Sequence, residues 1–231
     1  MSCITAPATA LAVVRNSLLT GCSSEFFSAL AGIGARTTYE PGATPWRAGE
    51  TILFPESGLI SLRTLSVDGG EIEVGMVSSE GAVGLLQAFG GGIPRFEARV
   101  LTPTIAWSVS ATAFPALARA DDAVMKRLWV YLAEAEAETH AIASCGLTHG
   151  ARERLADILR SYDRRQGGER LYLTQETLSA SVGVCRTTVT ALMTDLTAAD
   201  AIRAGRGWFA VTDPGRLAAA GCGCRNPETR R

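Results

Sequence analysis

The stretch Leu171–Val211, LYLTQETLSASVGVCRTTVTALMTDLTAADAIRAGRGWFAV, divides into a short helix, a sharp turn, a second helix and a β-hairpin. Thr174 suits an N-cap, because its hydroxyl accepts a bond from a free N–H of the first helical turn. Leu173 and Leu178 flank it with the spacing of a hydrophobic staple, and Glu176 sets a negative charge at the positive end of the helix dipole. Gly183 supplies the left-handed residue at which a short helix stops and turns. The second helix is predicted over Arg186–Leu196. At about 100° per residue, Val189, Leu192, Met193 and Leu196 share a buried face. Thr187, Thr190, Ala191 and Thr194 share the opposite one, with Arg186 beside the first turn. Small hydroxyl side chains behind one N-terminal arginine suit a major groove, where arginine pairs bidentately with guanine or grips phosphate. Ala201–Ala204 and Trp208–Val211 then form a hairpin whose tip, Gly205-Arg206-Gly207, presents Arg206 to a DNA backbone. The stretch reads as a winged helix-turn-helix. Helix pairs with a glycine turn occur in many folds that never touch DNA; the staple, turn, small exposed face and basic wing together favour double-stranded DNA as the partner.

Composition supports this reading. The chain has 231 residues, 47% hydrophobic and 19% charged, as in ordinary globular proteins. Its net charge of −1 hides an asymmetry: Ala151 onward holds 13 Arg, no Lys and 9 acidic residues, whereas residues 1–150 hold 9 basic and 14 acidic. The positive part contains the helix-turn-helix. The apolar run Ala6–Val14 has no preceding basic residue and is too short to span a bilayer, so a cytoplasmic protein without membrane partners is expected. Cys3, Cys22, Cys145 and Cys185 lack metal spacing. Cys222-Gly-Cys224 is the one close pair, and no two further ligands stand near it in sequence, so no metal site is expected. His140 and His149, nine residues apart, fit no metal pair and read as surface or helix-end residues.

Upstream, Asn16–Leu30 reads as short helical material. From Arg36 the chain turns β-like, with strands predicted at Thr51–Phe54, Leu59–Leu65, Glu71–Val77, Phe96–Leu101 and Ile105–Val109. Within Glu71–Val77, Ile72, Val74 and Met76 alternate with Glu71, Glu73 and Gly75, which predicts an inward apolar and an outward polar face. Asp68-Gly69-Gly70 before it is a hairpin signal. Many short strands with regular turns indicate a double-stranded β-helix, that is, a β-roll or jelly roll. Asp121 or Asp122 caps a long helix expected to run to about Cys145 and close at Gly146. On it, Met125, Leu128, Leu132, Ala135, Thr139 and Ile142 follow the 3-4 spacing of a coiled-coil seam and predict a homodimer. Ala151–Arg165 forms another helix with Leu155, Ile158 and Leu159 inward, and Asp213-Pro214 opens a last one. The expected architecture is α+β: a sensor β-roll over 1–110, helices including the long dimerisation helix over 111–149, and a winged helix-turn-helix DNA-binding domain over 150–231.

With roll, long helix and winged helix in that order, the chain resembles the Crp/Fnr family of bacterial transcription regulators from about Asn16 to Cys224. The most specific stretch is LTQETLSASVGVCRTTVTALMTDL, similar to the family's LTxExLAxxxGxxRxTVxRxLxxL. Phe54–Ser61, Val74–Val77 and Glu80–Gly84 also resemble a branch of it. The resemblance implies a base-contacting role for Arg186 and DNA-backbone contacts by Thr174, Gln175, Cys185 and Thr188. A dimer that sets two such helices about a two-fold axis predicts a palindromic operator, and RNA polymerase is expected as a further partner. Family members that read the best-known cyclic-AMP site carry Glu and a second Arg where Thr187 and Ala191 stand, so the target sequence is expected to differ. The cyclic-nucleotide branch has a Gly-Glu-Leu-Ala cassette, but here Gly84 is followed by Leu85, and Arg95 by Phe96-Glu97 rather than Ser/Thr-Ala. An effector pocket around Gly84, Leu85, Leu86 and Arg95 is therefore expected to take something other than a cyclic nucleotide. The redox branch's cysteine cluster has only Cys3 and Cys22 to draw on, and residues 36–110 hold no histidine for haem; no cofactor is expected. The same lack argues against a cupin-like enzyme, which needs His and carboxylate ligands inside the barrel. A signalling module whose winged helix binds protein is the remaining alternative.

Overall fold

The computed structural model describes residues 15–226 apart from Asp68, Ile93 and Glu169; the Ala6–Val14 run, Cys3 and Asp68 of the hairpin signal lie outside the described residues. The chain packs as two units, Met1–Leu62 with Met76–Glu136, and Arg63–Gly75 with Ala137–Arg231. Among the described residues no helix is long and apolar enough to cross a membrane.

In the first unit, α1 (Ser24–Gly32) starts where Ser23 caps Phe26. The helical material predicted from Asn16 thus begins as turns, with the buried Asn16 side chain holding the Pro55 and Gly81 carbonyls. Strand β1 (Gly34–Tyr39), not foreseen as a strand of its own, pairs antiparallel with β6 (Thr104–Ser110), which pairs in turn with β2 (Thr51–Ser57). The β2 register shifts at Pro55, whose missing N–H explains a bulge. A second sheet has the order β4 (Glu71–Val77), β3 (Ile60–Leu65), β5 (Glu97–Val100). Both faces of β2 are buried. Ile52 and Phe54 join Leu30, Trp107, Val109 and Phe114 in one core, while Leu53 between them joins Trp46, Ile60, Val77, Val83 and Val100 in another. Two short helices, α2 (Leu85–Gly90) and α3 (Phe114–Arg119), complete the part before the long helix.

Helix α4 spans Asp122–Thr148, with Asp121 accepting from the Ala123 and Val124 N–H groups. It runs past Gly146, which lies inside the last turn instead of closing the helix. The predicted seam is also redistributed. Leu128 is buried in the first unit's own core, Met125 and Leu132 pack against that core, and Thr139 is exposed. The 3-4 spacing there is core packing, so these three residues face inward. A different set is exposed at the same spacing: Val130, Ala133, Ala137, His140, Ser144 and Leu147, with Trp129 alongside.

The second unit is built on α5 (Ala151–Gln166), where Leu155, Ile158 and Leu159 are buried as expected, together with Ala156 and Tyr162. Helices α6 (Gln175–Val182), α7 (Arg186–Ala198) and α8 (Pro214–Ala220), with the hairpin β7 (Ile202–Gly205) and β8 (Trp208–Val211), pack around it. The alternation predicted for Glu71–Val77 holds at Met76, which is buried, and is reversed at the start of the strand: Ile72 is 40% exposed and Glu73 only 2%. Burial of Glu73 is offset by partners that sequence distance hides. Tyr162 Oη donates to it at 2.7 Å, Ser181 Oγ at 3.0 Å, and Arg225 pairs with it at 3.3 Å.

Candidate nucleic-acid interface

The helix-turn-helix forms as its residues dictate. Thr174 Oγ1 accepts the Thr177 N–H at 3.1 Å, and Leu173 and Leu178 are both buried. Gly183 takes φ 74°, ψ 41°, and the Gly183 and Val184 N–H groups both return to the Ser179 carbonyl. Ser179 Oγ donates to the Val184 carbonyl across the same turn. Val189, Met193 and Leu196 anchor α7, Leu192 is half-buried, and Arg186, Thr187, Thr190, Ala191 and Thr194 are exposed. Thr190 Oγ1 donates to Gln175 Oε1 at 2.9 Å, which couples the start of α6 to the outer face of α7. An ion pair between Arg152 and Asp195 at 2.9 Å links α5 to α7.

Cys185 is the N-cap of α7 and is exposed, with Sγ 3.1 Å from both Thr187 Oγ1 and Thr188 Oγ1. Hydrogen bonds from these hydroxyls, Thr187 first, lower its thiol to about 7. The wing turns through Arg206 and Gly207, the latter at φ 77°, leaving Arg206 exposed. Gly205 is required there, since a Cβ would lie 2.4 Å from Trp208 Nε1. The Trp208 ring carries the Arg170 guanidinium at 4.0 Å. Thr174, Gln175, Cys185, Arg186, Thr187, Thr188, Thr190 and Arg206 therefore belong to one helix-turn-helix and wing, all exposed or half-buried.

The residues expected to line an effector pocket differ in exposure. Leu85 is buried in the helix-facing core, Leu86 is 60% exposed and Arg95 is exposed. Gly84, at φ 91°, lies directly under Trp46, whose Nε1 would be 2.4 Å from a Cβ placed there. Trp46 in turn stacks on Phe96 at 4.9 Å. Trp46 and Phe96 thus pack beside Gly84.

One group escaped the sequence. Cys145 and His149, at the end of α4 and just after it, meet Cys222 and Cys224, with all four ligand atoms within 4.8 Å of one another. The two further ligands that Cys222-Gly-Cys224 lacks locally lie some 75 residues away, beyond the reach of a spacing rule. Burial pushes the Cys145 and Cys222 thiols up.

Comparison with known proteins agrees with this geometry. Residues 153–220 match the family model of the Crp-like helix-turn-helix domain. No curated protein matches the sequence. Among solved structures, the chain is similar to the global regulator CLP of Xanthomonas campestris, with 18% identity over 82% of this chain and 99% of that one, at a TM-score of 0.67. FixK2 of Bradyrhizobium japonicum is 18% identical over 82% and 98%, at 0.70. A Crp/Fnr-family regulator of Eubacterium rectale is 15% identical over 89% and 98%, at 0.69. The chain carries a Crp-like helix-turn-helix domain and has, over most of its length, the fold of the Crp/Fnr transcription regulators.

Proposed function

We propose that this protein is a transcription regulator that binds a palindromic operator as a homodimer. The observation that carries the reading is the outer face of α7: Arg186 at its start, then small hydroxyl and methyl side chains at Thr187, Thr190, Ala191 and Thr194, all exposed. Such a face enters a major groove closely, Arg186 reads a base, and Thr174, Gln175, Cys185, Thr188 and the wing's Arg206 hold the backbone. Residues 150–231 act as the DNA-binding domain, 111–149 as the segment with the dimerisation helix, and 1–110 as the sensor roll. RNA polymerase is the downstream partner, and the cytoplasm is where these partners are met. Catalysis has no part in this role.

Dimerisation is assigned to the exposed stripe Val130, Ala133, Ala137, His140, Ser144 and Leu147 of α4. Its 3-4 spacing and small residues suit a second copy of the same helix, with Leu147, 89% exposed, as the largest apolar side chain to cover. The roll's effector differs from cyclic AMP and cyclic GMP, because Leu85 supplies no acceptor for ribose hydroxyls. The test is a mobility shift of the full chain on the promoter of its own operon across a salt series. Sequence-selective binding that weakens steeply with salt supports the reading. Absence of binding at low salt refutes it and favours a winged helix that docks on protein.

A further inference from the structure

The cluster Cys145, His149, Cys222 and Cys224 lies outside the DNA-facing surface and plays no part in the reading above. Its four ligand atoms come from two places. Cys145 lies in the last turn of α4 and His149 just beyond it, and Cys222 and Cys224 flank Gly223 in the loop after α8. Cys145 Sγ and Cys222 Sγ are 3.4 Å apart, and Cys224 Sγ is 3.5 Å from His149 Nδ1. A tetrahedral zinc ion with Zn–S bonds of about 2.3 Å holds its ligand atoms about 3.8 Å from one another. Both measured pairs lie within a few tenths of an ångström of that edge.

The loop is built to hold these positions. Asp157 of α5 is 3% exposed, and its carboxylate accepts the Gly223 N–H at 3.2 Å and the Arg225 N–H at 2.8 Å. Gly223 takes φ 77°, a left-handed conformation that turns the two flanking cysteines to the same side. Gly221 lets the loop approach, since a Cβ there would meet Asp157 Oδ1 at 3.0 Å. On the other side of the site, Arg154 of α5 donates to the carbonyl of His149 at 2.9 Å and fixes the chain just after α4. Outer contacts of this kind orient ligands around structural metals.

We propose that these four residues bind a single zinc ion as a closed, structural Cys3His site. Three soft thiolates with one imidazole select zinc among the common divalent ions. Four protein ligands leave no open position for substrate, so the ion serves as a staple that joins the end of α4 to the loop after α8. Ligands this close suit one ion; a four-iron cluster binds each thiolate to a different iron and needs them farther apart.

The full chain, purified without chelators under reducing conditions, should contain about one zinc per chain by elemental mass spectrometry. The paired change Cys222→Ser with Cys224→Ser should lower that content at least roughly tenfold, since two of four ligands are lost. Cys22→Ser and Cys185→Ser should leave it unchanged. If the paired variant does not fold, protein produced in cells supplied with cobalt(II) in place of zinc keeps the question open to a direct answer. Intense tetrahedral d–d absorption with a thiolate-to-cobalt charge-transfer band is expected. Zinc that persists in a folded paired variant, only weak octahedral cobalt absorption, or iron with acid-labile sulfide in anaerobically purified protein would each overturn the proposal. So would metal-free protein in which peptide mapping finds a Cys145–Cys222 disulfide.

Discussion

Arg186 begins α7 with an exposed side chain, so its removal should leave the fold intact and act on recognition alone. Arg186→Ala should lose about 1–3 kcal/mol of discrimination against a mismatched base, read as a loss of selectivity in competition shifts. Equal selectivity in the parent and the variant would reassign the reading residue. One position earlier, Cys185 provides a pH signature. Its thiol is lowered to about 7, first by Thr187 and then by Thr188. The thiolate therefore dominates above that value and the unreactive thiol below it. Alkylation of Cys185 should accelerate through a midpoint near 7, bound operator should slow it, and Thr187→Val should move the midpoint upward. A midpoint near the ordinary cysteine value in the parent would remove these hydroxyls from the account. Glu73 shows what a buried carboxylate contributes. Glu73→Ala deprives Arg225, Tyr162 and Ser181 of a shared acceptor and should cost about 3–5 kcal/mol in urea unfolding. Thr174, Gly183 and Asp213 were legible in the sequence because their work is done within three or four residues. Glu73 and the cysteine cluster were not, because their partners lie between 75 and 152 residues away.

For whole elements, periodicity identified the type of structure more reliably than its direction. The long helix, α7 and most strands followed from their patterns. Yet a 3-4 repeat is equally the mark of a seam and of a helix resting on its own core, and on α4 both repeats are present side by side. Leu128 belongs to the core and Ala137 to the exposed stripe. Ala137→Glu places two carboxylates together across the proposed dimer and should weaken self-association by roughly tenfold or more, as apposed like charges cost several kcal/mol. Sedimentation equilibrium of the full chain would show it, with DNA affinity falling in parallel. A dimer indifferent to Ala137→Glu would move the interface elsewhere. On β4, alternation gave the strand and the buried Met76 but reversed Ile72 and Glu73. Leu85, standing where a carboxylate would accept ribose hydroxyls, yields a further expectation: calorimetry with cyclic AMP or cyclic GMP should detect no binding, and micromolar affinity would refute it.

At the scale of the molecule, two copies related by a two-fold axis would present two recognition helices to successive major grooves about 34 Å apart, or roughly 10 bp between half-site centres. Footprints should therefore cover an imperfect palindrome read once per subunit, and protection of a single unrepeated half-site would contradict the dimer. The ion pair between Glu73 and Arg225 also bears on how the chain is made. The two residues are 152 positions apart, and a ribosome adding about 5–20 residues per second takes roughly 8 to 30 s to travel between them. Through that interval the hairpin around Glu73 lacks the arginine, and it gains the tyrosine only after 89 residues and the serine after 108. Nascent chains stalled before Ser181 should be cut by protease within residues 63–75, and chains released after Arg225 should resist.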